Sequence, residues 1–345
     1  MWTVVGGLLV AEGLARWIDL TVGGDLLLGA ERQVPEGLYR EHARLLHEPG
    51  PGFDGTVARA GGTVRVRFDE RGLRGERDDR TDGWLTVGDS FALGLHVDEA
   101  QTFQAHLGET LGVPVWNGGV EGYSTWQASW RYQELASRLD LRGVVLLMVP
   151  GNDLEENRSI PDLLEVVERE ARADRGTSLL ANHSRLWLHA RVLQRRRDLA
   201  RPDSARRNQL RKALSIYMST GSRDLQELMV RTREALRELS GEAASRGHRL
   251  VVAVVPDLAW VEDSRKIFSL VGYSPGQVDL DAPMNAVNEL LDGLGIETCA
   301  LAPALRASHR AGDRPYDRAH GHWTERGHAV VAGELSGCLA GSPAL

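Results

Sequence analysis

Lysine is almost missing from this chain: Lys212 and Lys266 are the only two among 41 basic residues. Arginine therefore carries the positive charge, a bias to which no function attaches. Against 48 acidic residues it leaves a net charge of -7, which excludes the overall basic character of a nucleic-acid binder. Cysteine is scarce too. Cys299 and Cys338 are too few for a disulfide framework and too far apart for zinc-ligand spacing. They are expected as a reduced pair of small buried side chains, with pairing left open. Long hydrophobic runs are also lacking. The apolar stretch from Met1 to Ala11 ends at Glu12, well short of the roughly 20 residues a spanning helix needs. It has no basic lead-in and no small-residue cleavage site, so it reads as an amphipathic helix or as the stub of a longer anchor. No internal repeat or low-complexity tract interrupts the rest.

What is present is a 345-residue chain with 42% hydrophobic and 26% charged residues, the balance of a globular protein with a large core. Residues 1–82 read as an N-terminal extension of helices and short strands. A second helical stretch is expected near Glu36 to His47, the Pro49-Gly50-Pro51-Gly52 break follows, and Thr63 to Phe68 alternates as a half-exposed strand does. From residue 83 the texture changes. Trp84 to Val87, Val113 to Trp116, Val144 to Val149 and Leu250 to Val255 are short apolar runs bounded by turn residues, as buried parallel strands are. Amphipathic stretches at Gln101 to Leu111, Trp126 to Leu139 and Met284 to Leu294 lie between or after them. This alternation predicts an α/β fold with a central parallel sheet and helices on both faces, ligands binding at the carboxyl ends of the strands. About 155–246 reads as a helical insertion, with Ile160 to Arg172 and Asp224 to Arg246 as helices and an arginine-dense stretch from Trp187 to Lys212.

Four segments carry candidate chemistry. The first strand runs into Gly88-Asp89-Ser90 and a helical start, which places a serine hydroxyl beside the free N–H groups of a helix's first turn. Read alone, Asp89 or Ser90 is equally an ordinary N-cap. After the second strand, Asn117 to Thr125 contains glycines that let a backbone N–H approach a substrate. After the third, Gly151-Asn152-Asp153 offers a side-chain amide, and Asp317 to His328 supplies imidazoles. A metal site is not expected from these histidines, because no partner stands at ligand spacing on a predicted helix.

Taken in order, the four segments resemble the SGNH (GDSL-like) hydrolase superfamily, from Trp84 to about Leu339 apart from the insertion. The resemblance implies a three-layer α/β/α, flavodoxin-like fold and a serine hydrolase that needs no cofactor. It implies Ser90 as nucleophile and an oxyanion hole from the backbone N–H of Ser90, the backbone N–H of Gly122 and the amide of Asn152. The last block departs from the family. His322 has Thr324 and Gly327 at the usual offsets after it, but Asp317 then lies five residues upstream and His320 occupies the place of an aspartate. His320 has Asp317 three residues before it and fails downstream. The reading takes His322 as general base and Asp317 as the group orienting it, with His320 as the alternative in either role.

The segments Asn117 to Thr125, Gly151 to Asn157 and Arg71 to Gly75 resemble one bacterial branch, whose members often carry an N-terminal membrane anchor. Membrane association is thus left open. The chain is cytoplasmic as it stands, and membrane-associated or extracytoplasmic if its start is a truncated anchor. The expected activity is hydrolysis of a small O-acyl ester, such as acetyl, on a small molecule or carbohydrate. The alternatives are transfer of the same acyl group to another acceptor and an inactive binding protein of the same fold. Tyr123, Trp126 and Trp323 line a pocket or fill the core, and the arginines of Trp187 to Lys212 meet an anion or form a solvated face.

Overall fold

The computed structural model describes residues 35–340 apart from 162–213, 219–222 and positions 43, 60, 61, 159, 271 and 319. The apolar start, the arginine-dense stretch and all but the first residues of Ile160 to Arg172 lie outside the described residues. None of the described helices is long and apolar enough to cross a membrane.

Two antiparallel hairpins come first. Tyr39–His42 (β1) pairs with Leu46–Pro49 (β2), and Asp54–Arg59 (β3) with Gly62–Arg67 (β4). β4 lies where the alternating pattern expects a strand. The first hairpin replaces the helix expected near Glu36 to His47. Its turn is closed by a side chain, since the N–H groups of Arg44 and Leu45 donate to Nδ1 of His42 at 3.3 and 3.0 Å. Such local bonds compete with helix formation, and Leu38 and Leu45, whose spacing mimics a helix, are buried from the hairpin instead.

Five strands then build the central sheet: Gly83–Gly88 (β5), Val115–Asn117 (β6), Leu141–Met148 (β7), Arg249–Val254 (β8) and Glu297–Ala300 (β9). All pair in parallel, in the order β6-β5-β7-β8-β9. The helices Phe103–Leu111 (α2), Ala302–Arg310 (α6) and Glu325–Ala340 (α7) associate with one another on one face. Thr125–Ala136 (α3), Arg223–Ser245 (α4) and Ala282–Leu294 (α5) do so on the other. Covered on both sides, β5 is buried throughout and β7 at every residue but Arg142. The stretch expected to close the insertion, Asp224 to Arg246, is α4, and it packs against α3, α5 and β8 as a layer of the sheet.

Cys299 in β9 and Cys338 in α7 are joined by a disulfide, which corrects the expectation of a reduced pair. Their Cα atoms lie 6.0 Å apart, within bridging range, because the edge strand and the last helix pack together.

The chain leaves β5 in both directions across the sheet, to β6 on one side and β7 on the other. Strand order therefore reverses at the carboxyl end of β5, the place where open α/β sheets bind ligands.

Candidate active site

β5 ends by running into Ser90–Leu93 (α1). Gly88 has φ 141°, and a Cβ there would stand 2.6 Å from the carbonyl oxygen of Leu147, so the turn out of the strand requires glycine. Asp89 is the N-cap, its Oδ1 accepting from the N–H of Phe91 at 2.9 Å. The bland reading of Asp89 is thus correct, and it leaves Ser90 as the first helical residue, half-buried at the strand end.

The exit from β6 is tied to the same strand. The N–H groups of Gly118 and Val120 donate to the carbonyls of Thr86 (2.8 Å) and Gly88 (3.0 Å), so the chain stays beside β5 past the last formal strand residue. It then turns at Gly122, which has φ +74° and is exposed. At the end of β7 a helix covers 150–158. Asp153 holds its start, accepting from the N–H of Val149 at 2.7 Å and from the hydroxyl of Thr125 at 2.9 Å. Asn152 is exposed and donates from Nδ2 to Oδ2 of Asp89 at 2.9 Å. One hydrogen of that amide is so engaged; the geometry orients the other.

Burial holds the carboxyls behind this arrangement above their ordinary range. Asp89 is raised by burial against the pull of its bonds to Asn152 and Phe91. Asp153 is raised by burial and then by the charge of Asp89. Glu156 is pushed up to about 9 by burial, with Asp153 and Asp89 adding to it.

The histidine side is built differently. Nε2 of His322 lies 2.8 Å from Oγ of Ser90, and Nδ1 lies 3.0 Å from the carbonyl oxygen of His320. A carbonyl only accepts, so Nδ1 carries the hydrogen and Nε2 of the neutral ring accepts from the Ser90 hydroxyl. The imidazole is sandwiched between Phe91, with centroids 5.0 Å apart, and His96, at 4.3 Å. Asp317 reaches the other histidine, its Oδ2 standing 3.4 Å from Nε2 of His320. His320 also stacks on His96, with centroids 3.8 Å apart. Trp323 and Tyr123 are core residues, 1% and 0% exposed, and Trp126 is half-buried.

The structure thus brings Ser90, His322, His320 and Asp317 into one cluster, with Asn152 linked through Asp89 and Gly122 on the loop alongside. His96 was not singled out from the sequence. It stands in no motif, and only its fold neighbours reveal it. With His320 and His322 it could offer nitrogens within 4.8 Å of one another to a metal ion. The rings lie face to face at 20° and 23°, whereas ligands to one ion aim their lone pairs at a common point. The rings of His320 and His322 are tilted at 42° to one another, so His96 is the ring on which both stack.

Fold, ordered segments and this cluster agree with the resemblance to SGNH hydrolases, and the last part of the chain matches a family model of that description. Residues 218–345 match the family model described as "SGNH hydrolase-like domain, acetyltransferase AlgX". That match contains His320 and His322 and stops short of the serine segment. No curated protein matches the chain in sequence. Solved structures similar to it include a member of the lipolytic protein G-D-S-L family from Veillonella parvula (11% identity, TM-score 0.42, 76% of this chain and 100% of that one). A GDSL-like lipase from Bacteroides thetaiotaomicron is similar at 12% identity and TM-score 0.39, over 75% of this chain and 88% of its own. An acetyl xylan esterase, AlAXEase, is similar at 11% and 0.41, over 74% and 99%.

Proposed function

We propose that the protein cleaves an O-acyl ester through an acyl-enzyme on Ser90. The observation that carries this reading is the 2.8 Å contact between Oγ of Ser90 and a His322 imidazole whose tautomer is set by the His320 carbonyl. Oγ attacks the acyl carbon while its proton moves to Nε2 of His322. The imidazolium then returns that proton to the departing alcohol oxygen. Water repeats the sequence in reverse, releasing the acid and free Ser90. Charge developing on the acyl oxygen is met by the N–H of Ser90, the N–H of Gly122 and the remaining amide hydrogen of Asn152. In this arrangement Nδ1 of the imidazolium faces the His320 carbonyl, where a triad would set a carboxylate. A carbonyl dipole takes that place, and Asp317 acts on His320 at one remove.

A cleft of about 600 Å³ opens beside the base, lined by His96, Asp317, His320, Arg314 and Arg326 among others. Charged side chains of both signs in its wall, among them Asp313, Arg314, Glu325 and Arg326, suit an acyl group carried on a hydroxylated molecule such as a sugar better than a long lipid chain. Transfer is the second reading, favoured by the match to an acetyltransferase domain. In it an alcohol of the acceptor replaces water in the second half. A disulfide persists in oxidising compartments, which favours the extracytoplasmic alternative.

The test is an ester panel of aryl and sugar acetates, run on the wild type and on Ser90→Ala, with and without an added sugar acceptor. Acetate release that disappears in Ser90→Ala supports hydrolysis, and acylated acceptor supports transfer. Equal release by both proteins would refute the role of Ser90.

A further inference from the structure

The hydrogen bonds around 120–123 fix the direction of one peptide. The N–H of Tyr123 donates to the carbonyl of Val120 at 3.3 Å, closing a four-residue turn with Gly122 in its third position at φ +74°. Glu121, in the second position, is not among the residues of positive φ. Negative then positive φ is the type II turn, whose central peptide is reversed relative to type I. In this turn the central peptide joins Glu121 to Gly122. Because a trans peptide holds C=O and N–H antiparallel, reversing it would swing the Glu121 carbonyl and the Gly122 N–H together.

One side chain grips that carbonyl. Nε2 of His47, in β2, lies 2.9 Å from the carbonyl oxygen of Glu121, and since the carbonyl only accepts, the ring nitrogen donates. The ring of His47 meets Tyr39 and Tyr123 edge to face, each with centroids 5.3 Å apart. The Tyr123 hydroxyl donates to the His47 carbonyl at 2.5 Å, and the Tyr39 hydroxyl to Glu121 Oε2 at 3.3 Å. The hairpin is itself tied down, as Gln127 of α3 donates to the carbonyl of Leu45 at 2.8 Å.

We propose that His47 is a positioning residue: by holding the Glu121 carbonyl it locks the Glu121–Gly122 peptide with its N–H turned away from the hairpin, as an oxyanion donor. This makes the β1–β2 hairpin part of the machinery that meets the transition state. The inference rests on the reading of Gly122 as a donor. A hydrogen bond on the carbonyl also polarises the same amide, so its N–H becomes the better donor. The need at Gly122 is conformational, since a Cβ there would meet nothing within 4 Å.

The test compares His47→Ala, His47→Leu, His47→Gln and Tyr123→Phe in the full chain, with 4-nitrophenyl acetate as substrate and an arylboronic acid as mimic of the tetrahedral state. We expect His47→Ala and His47→Leu to lose about ten- to a hundredfold in kcat with little change in KM. Boronate affinity should fall by a similar factor. His47→Gln, which keeps an N–H donor, should recover most of the loss. Tyr123→Phe should show a smaller loss of the same kind. Ser90→Ala, run beside them, separates two failures. If it retains activity, the reading of the whole site falls. If it is inactive while the His47 variants turn over at the wild-type rate, or His47→Gln falls as far as His47→Ala, this inference alone is overturned.

Discussion

The two halves of the site are held by different physics. On the side proposed to donate, the loop leading to Gly122 is tied to β5 by backbone hydrogen bonds, and Asn152 is held by Asp89, a buried carboxyl. On the base side, His322 is placed by the carbonyl and ring of His320 and by stacking between Phe91 and His96. Hydrogen-bonded backbone sets direction tightly, while ring stacking sets a plane and leaves rotation within it. The donor half is therefore preorganised by the fold, and the base half depends on a few side chains.

Substitutions that strike one half at a time test this contrast. The largest effect is expected from His322→Ala, about 10³- to 10⁴-fold in kcat, because its Nε2 stands where the serine's proton must go. Activity within tenfold of wild type would move the base elsewhere. Asn152→Ala comes next, with a loss of about 10²- to 10³-fold, near 3 kcal/mol of barrier. Most of it should appear in kcat, and a change confined to KM would make Asn152 a ground-state contact.

His320→Ala and Asp317→Asn are expected to cost less than about tenfold each. Alanine at 320 keeps the carbonyl that receives Nδ1–H of His322, and Asp317 bears on His320. A loss of a hundredfold or more in Asp317→Asn would show that its carboxylate acts on the base directly, and one in His320→Ala that the His320 ring does, either being contrary to the contrast drawn above. Equal, undiminished activity in both would confine orientation to the backbone.

A further effect concerns stability, not rate. Asp153 in the folded chain holds its proton above the ordinary carboxylate range, because of burial and the nearby Asp89 charge. Between the ordinary carboxylate pKa and the raised one the folded state binds more protons than the unfolded state, so stability falls as pH rises through that window. Asp153→Asn removes this slope. The difference in unfolding free energy between variant and wild type should therefore shift in the variant's favour as pH rises from 4 to 7, by up to about 1.4 kcal/mol per pH unit. Parallel denaturation curves across that range would contradict the buried-carboxyl account.

Legibility in the sequence followed burial. β5, β7 and β8 are covered on both faces and so read as continuous apolar runs. β9, Glu-Thr-Cys-Ala at the sheet edge, has only Cys299 buried and gives no such run. The first hairpin was hidden because its leucines fall at helical spacing, and the His42 bond that makes its turn is a contact between side chain and backbone that no periodicity records. In the site, Ser90 and His322 could be singled out because local motifs surround them. His47 and His96 could not, since their partners stand 74 residues away at Glu121 and more than two hundred away at His320 and His322. The disulfide escaped for the same reason: 39 residues separate cysteines that only the packing of β9 on α7 brings together.

The central claim is that Ser90 is activated by His322. It is tested most directly by the rate at which a fluorophosphonate labels the protein, followed by mass spectrometry of the modified peptide. The account expects one adduct, on Ser90, with labelling slowed at least a hundredfold in His322→Ala and abolished in Ser90→Ala. Labelling at another residue, or an unchanged rate without the imidazole, would contradict it.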